Sequence, residues 1–229
     1  MRGFLVVLLA VAAVGFVASP SLADDHSGEE GFIDLLADGG QQHWQGYRKE
    51  GWPEGWKVED GVLAWVASGD DLMTKAHYAD FDLRLEWKVD PGSNSGIMYR
   101  VSDGMEHPWL TGPEYQILDN EGHGDGKNTK TSAAALYGLY AANDPVIKPV
   151  GEWNETRIVV EGENVQHWLN GQKVVEARMG GDEWKMSVAR SKFNRMKGFG
   201  KNSDGHIVLQ DHGDPVWFRN VRIKRLGGE

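Results

Sequence analysis

Nine consecutive residues, Phe81-Asp82-Leu83-Arg84-Leu85-Glu86-Trp87-Lys88-Val89, constrain this chain more than any other segment. Apolar side chains occupy every second position and charged ones stand between them without exception, so the period is 2 and not 3.6. A helix with this pattern would scatter its apolar groups around its circumference, whereas a strand collects them on one face. The segment is therefore a strand with one face in a core.

Shorter runs of the same kind recur at Trp56 to Glu59, Val62 to Val66, Gly96 to Val101, Tyr115 to Leu118, Leu136 to Tyr140 and Thr156 to Glu161. Val165 to Leu169 and Lys173 to Glu176 flank Asn170-Gly171, a dipeptide suited to the positive φ angles of a tight hairpin. His206 to Gln210 and Val216 to Lys224 complete the series. Only Asp182 to Phe193, with Trp184, Val188 and Phe193 along one side, has the spacing of a short helix. Many short strands, little helix and no fixed repeat predict an all-β fold, an antiparallel sandwich of two sheets, with a closed barrel as the alternative.

The N-terminus reads differently. Met1-Arg2 precedes an uncharged apolar run from Phe4 to Ala18, followed by Ser19-Pro20 and the small-residue site Ser21-Leu22-Ala23. This is the pattern of a secretory signal peptide, and the run is shorter than the ~20 residues a spanning helix needs. The expected organisation is a signal peptide over 1–23, a short acidic tail over 24–31 and one folded domain over 32–226, with the protein exported to the periplasm or beyond and no membrane anchor.

Composition removes several functions. With no Cys there is no disulfide, thiolate metal site, cysteine nucleophile or lipidated cysteine. Lys and Arg total 24 against 34 Asp and Glu, a net charge of −10, which opposes binding to a phosphate backbone and excludes nucleic acid as the expected partner. The chain has no Gly-x-Ser-x-Gly elbow, no phosphate-binding loop ending in Gly-Lys-Ser/Thr, and no Gly-x-Gly-x-x-Gly after a strand. Serine hydrolase, nucleotidase and dehydrogenase chemistry are thereby disfavoured.

Several segments in order resemble the 3-keto-disaccharide hydrolase domain family. They are Tyr78-Ala79-Asp80-Phe81 with Glu86-Trp87-Lys88, Asn94-Ser95-Gly96-Ile97 with Tyr99-Arg100, and Glu114-Tyr115-Gln116-Ile117-Leu118-Asp119. Gly138-Leu139-Tyr140, Gly151-Glu152-Trp153-Asn154, Asn170-Gly171 and the stretch from Gly205-His206-Ile207 through Leu209-Gln210-Asp211-His212-Gly213 to Phe218-Arg219-Asn220 follow. The resemblance implies a concanavalin A-like jelly roll with a concave cleft. It also implies cleavage of glycosides already oxidised to a ketone at C3, with an upstream glycoside 3-dehydrogenase as pathway partner.

Strand parity nominates the site. Residues two apart share a face, which groups Glu114 with Gln116, and Asn94 with Met98 and Arg100; with Glu86 they are the expected central cluster. Glu114 and His212 are the candidate acid and base, Arg100 the candidate donor to a developing enolate, and Asp119 a further catalytic carboxylate at the end of its strand. Gln210 shares parity with His212, and Asp211 or Asp119 is expected to orient that histidine. Glu86, Lys88, Asn94, Gln116 and Gln210 are candidate substrate-binding residues, as is His167 near its hairpin turn. Among the tryptophans, Trp44, Trp52, Trp109 and Trp153 lie in or near loops and suit stacking on sugar. Asp119, Glu121, His123 and Asp125 at alternate positions are candidate ligands for a hard cation, without the twelve-residue calcium-loop pattern; no cofactor is otherwise expected.

For a 3-keto-glycoside the ketone acidifies C2–H, so a base removes that proton while an acid assists departure of the C1 oxygen, and water then adds to the enone. Two other readings use the same scaffold. A lectin-like carbohydrate-binding module needs no chemistry. A retaining endo-glucanase needs two carboxylates about 5–5.5 Å apart, usually carried on Glu-x-Asp-x-x-Glu, which is absent.

Overall fold

The computed structural model describes residues 30–227. The expected signal peptide, and all but the last two residues of the tail, lie outside them. Thirteen strands are present among the described residues: β1 (Ile33–Asp34), β2 (Trp44–Gly46), β3 (Trp56–Glu59), β4 (Val62–Trp65), β5 (Leu72–Thr74), β6 (Phe81–Val89), β7 (Asn94–Val101), β8 (Glu114–Leu118), β9 (Asn154–Glu161), β10 (Asn164–Leu169), β11 (Gln172–Arg178), β12 (His206–Leu209) and β13 (Val216–Arg225). An α-helix, α1 (Asp182–Ala189), falls where the spacing allows one, and Gly181 precedes it as N-cap.

All strand pairs are antiparallel. The larger sheet runs β11-β10-β9-β6-β13-β4-β3 with β1 added against β13, and the smaller runs β2-β5-β12-β7-β8. This is the antiparallel two-sheet jelly roll expected. In β6 the alternation is realised: Phe81, Leu83, Leu85, Trp87 and Val89 are buried, while Arg84, Glu86 and Lys88 are half-buried on the outer face. The apolar side pairs across the interior with Ile97 and Tyr99 of β7, Tyr115 and Ile117 of β8, and Ile207 and Leu209 of β12. Each fully buried large side chain contributes about 1.5–3 kcal/mol, so this layer holds the two sheets together.

Polar groups inside the core are satisfied as a chain. Trp87 Nε1 donates to Thr156 Oγ1 at 2.9 Å, and the Thr156 hydroxyl donates to Tyr115 Oη at 2.8 Å, which links the sheets through one hydrogen-bond path.

Two expectations change. Leu136 to Tyr140 is not a strand: Leu136 and Tyr140 bridge each other, and Gly138 takes φ +71°, so the segment turns back on itself within five residues. His167 is not a substrate ligand. Val165, His167 and Leu169 are the core-facing positions of β10, and His167 is fully buried with Nδ1 3.2 Å from the Ala134 carbonyl and Nε2 3.1 Å from the Tyr99 hydroxyl. Nδ1–H donates to the carbonyl and Nε2 accepts from tyrosine, while burial pushes the ring pKa down to about 3 and keeps it neutral.

Candidate active site

The outer face of the smaller sheet carries a cavity of about 430 Å³. Its floor comes from β7 and β8, whose register places Gly96 opposite Gln116 and Met98 opposite Glu114. Gly96 is required here, because a Cβ at that position would run into the Glu114 carboxyl group. Of the residues nominated by parity, Asn94, Glu114, Gln116 and Gln210 line the cavity together with Trp109 and His212. Asp71, His107, Tyr137 and Lys192 also line it and were not foreseen, and so do Asp211, expected only as a partner of His212, and Asp125, expected only as a cation ligand.

Glu114 is the group with the most unusual environment. Burial raises its pKa to about 8; the Lys192 charge lowers it, and Asp71 and Asp125 raise it again. Asp71 precedes the three-residue strand β5 and accepts a hydrogen bond from the Asp211 amide at 2.8 Å. Burial lifts its pKa to about 6 against that hydrogen bond, with Asp211 and Asp70 adding to the rise. At neutral pH Glu114 is therefore the carboxylic acid of the cavity, while Asp71 beside it is ionised.

Two buried acceptors lack partners among the described residues. Gln116 donates through Nε2 to the Thr131 carbonyl at 3.1 Å, which leaves Oε1 unbonded, and Asn94 Oδ1 is likewise without a donor. Unpaired buried oxygens cost about 1–3 kcal/mol each, a cost that a hydroxyl-bearing ligand removes. Tyr137 donates to Asp125 Oδ2 at 3.0 Å, and Lys192 lies 4.3 Å from the centre of the Tyr137 ring, so cation, phenol and carboxylate form one wall. His107 stacks on Trp109 at 4.9 Å and makes a flat aromatic rim.

His212 is reached differently from expectation. β12 ends at Leu209, so His212 stands in the following turn rather than on a strand, exposed at the cleft edge. Its Nδ1 is 3.7 Å from Asp214, not from Asp211 or Asp119. Asp211 is already occupied, accepting from Trp65 Nε1 at 2.8 Å and the Gly69 amide at 2.6 Å.

The remaining candidates fall elsewhere. Arg100 leaves the face of Asn94 and Met98 because β7 contains a bulge: Met98 opposes Val208 and Val101 opposes His206, so β7 has one residue more than β12 in that interval. Arg100 itself sits at φ +51°, and its guanidinium donates to the Ala79 carbonyl, the Gly162 carbonyl and Asp80. It clamps three segments and stands outside the cavity. Arg100→Met is expected to lower unfolding free energy by about 2–4 kcal/mol in urea titration while kcat of the folded enzyme is retained.

Glu86, Lys88 and Trp153 lie on the outer face of the larger sheet. Glu86 accepts from Arg219 at 2.6 Å and from Asn220, and the Lys88 ammonium sits 5.1 Å from the Trp153 ring and 4.9 Å from Trp217. Trp44 is fully buried in the core and offers no stacking face. Asp119 accepts from the Gly92 amide at 2.7 Å and the Glu121 amide at 3.0 Å. Burial would raise its pKa, yet the amides of Gly92, Gly122 and Glu121 outweigh it and hold the carboxyl below its ordinary range. It fastens its loop and does not line the Glu114 cavity.

Nor do Asp119, Glu121, His123 and Asp125 converge as cation ligands. His123 Nδ1 accepts the Asp125 amide at 3.1 Å and Asp125 serves Tyr137, so these groups are spent on the loop.

The chain belongs to the 3-keto-alpha-glucoside-1,2-lyase-like domain family, whose model matches residues 31–224. A 3-keto-disaccharide hydrolase of Bacteroides thetaiotaomicron is 35% identical over 86% of this chain and 79% of the relative. Two solved structures of candidate glycosyl hydrolases from Parabacteroides distasonis are also similar. One superposes with a TM-score of 0.79 at 32% identity, covering 86% of this chain and 95% of the other. The second has a TM-score of 0.69 at 30% identity, covering 85% and 99%. These similarities support a carbohydrate-acting enzyme of the glycosyl hydrolase type.

Proposed function

We propose that this protein cleaves 3-keto-glycosides in the Glu114 cavity, by elimination across C1–C2 followed by hydration. The observation that carries the reading is that two of the carboxyl groups lining the cavity are raised to different values, Asp71 to about 6 and Glu114 to about 8, which suits one base and one acid at the same pH. Asp71 takes the C2 proton that the C3 ketone has made acidic. Electrons move into the enolate, the C1–O bond breaks, and Glu114 gives its proton to the departing oxygen. Water then adds, with hydroxyl at C1 and a proton returned to C2.

Lys192, the cation of the cavity wall, takes the enolate-stabilising part that Arg100, outside the cavity, does not fill. Gln116 Oε1 and Asn94 Oδ1 accept sugar hydroxyls, and the His107–Trp109 stack is the platform for a ring face. His212 guides substrate at the edge. The chain is read as exported after cleavage near Ala23, acting on the product of a separate sugar 3-dehydrogenase.

Incubation with a 3-keto-glucoside beside its unoxidised parent tests this. Sugar release from the ketone only, slowed by deuterium at C2, is the expected result. Equal release from both would mean direct glycoside hydrolysis, and tight binding of either sugar without release would mean a lectin-like module.

A further inference from the structure

At the far end of the smaller sheet, three side chains from distant parts of the chain meet. His77 precedes the bridge between Tyr78 and Gly205, His206 opens β12, and Asp103 follows β7. The pairing of His206 with Val101 brings the last two together. Gly205 makes the approach feasible, since a Cβ there would lie 2.5 Å from the Val101 carbonyl oxygen.

The hydrogen bonds around both rings determine where their lone pairs point. His206 Nδ1 is 2.6 Å from the Thr74 carbonyl, which can only accept, so Nδ1 carries the hydrogen and Nε2 of the neutral ring carries the lone pair. His77 Nδ1 is 3.3 Å from Asp204 Oδ2, again an acceptor, which leaves His77 Nε2 as its lone-pair nitrogen. These two Nε2 atoms are 2.9 Å apart. Asp103 closes the group, with Oδ1 3.0 Å from His206 Nε2 and Oδ2 3.6 Å from His77 Nε2.

Two lone pairs and a carboxylate facing one point repel one another unless a cation lies between them. Donors around a tetrahedral Zn²⁺ with bonds of about 2.0–2.1 Å are roughly 3.3 Å apart, which the observed separations bracket. Each imidazole also has the carbonyl or carboxylate behind it that orients metal-bound histidine. Among the described residues, no other three His, Asp or Glu side chains converge in this way.

We propose that His77, Asp103 and His206 bind one divalent transition-metal ion of the Zn²⁺ type, with a fourth position open. Strand parity puts His206, Val208 and Gln210 on one face, so the ion lies roughly 13 Å along the strand from the Gln210 end of the reaction cavity. Val208, Met98 and Val101, packed as one apolar cluster, occupy the ground between. The ion does not touch the reacting sugar. It ties the segment before β6 and the start of β12 to the loop that begins at Asp103. That loop, held also by Tyr47 donating to the Met105 carbonyl at 3.0 Å, leads to the His107–Trp109 stack.

Chelator-treated full-length mature protein should bind Zn²⁺ at one ion per chain in calorimetric titration. Excess over Kd of about 100-fold should raise Tm by roughly 5–10 °C. Co²⁺ should give the visible absorption of a four- or five-coordinate nitrogen–oxygen site. His77→Ala and Asp103→Asn, both at exposed side chains and therefore harmless to folding, should each weaken Zn²⁺ binding at least 100-fold and abolish the thermal shift. Zn²⁺ binding unchanged in both variants, or no binding by the unaltered protein, would overturn the proposal and leave a proton shared between His206 and Asp103 as the reason these groups meet.

Discussion

Replacing Glu114 with Gln is expected to lower kcat on a 3-keto-glycoside by about 10²–10⁴, the usual contribution of a positioned acid, and at the same time to make the protein more stable. Glutamine keeps the shape of the side chain and loses the proton that the leaving oxygen needs. The stability gain follows from the raised pKa. At pH 7 the unfolded glutamic acid is ionised while the folded one, near 8, is mostly protonated, so folding must take up a proton. That penalty is absent below the ordinary value of 4.5, grows as pH rises toward about 8 and is constant above it. A neutral amide carries none of it, so Glu114→Gln should gain on the order of 2 kcal/mol at pH 7 and nothing at pH 4, measured by urea denaturation at both. A glutamate with no part in the chemistry would show the same stability change with the folded fraction fully active, so the fall in kcat is the outcome that tests the role of Glu114.

The second large effect belongs to Asp71. With Asp71 as base and Glu114 as acid, kcat/KM of the unaltered enzyme should rise as pH passes about 6, where Asp71 ionises, and fall as it passes about 8, where Glu114 loses its proton. The two limbs are those of the pair, since each charge acts on the other. Asp71→Asn should lower kcat by about 10²–10⁴ and erase the acid limb while the alkaline limb remains. A profile flat from pH 5 to 9, or an acid limb unchanged in Asp71→Asn, would remove Asp71 from the role of base. The variant's Tm serves as the control, because relief of a raised carboxyl pKa also stabilises Asp71→Asn at pH 7.

What was legible in advance was what depends on near neighbours in sequence. Side-chain parity is a property of the extended backbone itself, so β6 and the shared face of Glu114 and Gln116 follow from residues a few positions apart, whereas Asn94 joins them only through the pairing of β7 with β8. Even the burial of His167 is implicit in its spacing from Val165 and Leu169, although proximity to the Asn170-Gly171 turn suggested an exposed role. Parity says which residues share a face; it does not say which sheet a strand joins. Glu86 and Lys88 therefore looked equivalent to Glu114, yet pairing of β6 with β9 and β13 turned them to the opposite side of the molecule. The Arg100 bulge was hidden for a related reason, since it is defined by one extra residue relative to β12, more than a hundred positions away.

The composition of the reaction cavity was likewise a tertiary outcome. Asp71 reads in sequence as a polar residue after Gly69-Asp70, and only tertiary packing buries it enough to raise its pKa against the opposing Asp211 amide. Lys192 opens a short 3-10 helix after α1 and Tyr137 sits in the turn between Leu136 and Tyr140, and neither element's periodicity shows that packing brings both to the Glu114 cavity. His77, Asp103 and His206 carry no motif spacing at all. Local residue order dictates the strand class, the absence of cysteine chemistry and the pair of polar side chains on β8. Sheet assignment, burial and the meeting of charged groups from distant segments depended on long-range packing, because desolvation and Coulomb interaction act through space and not along the chain.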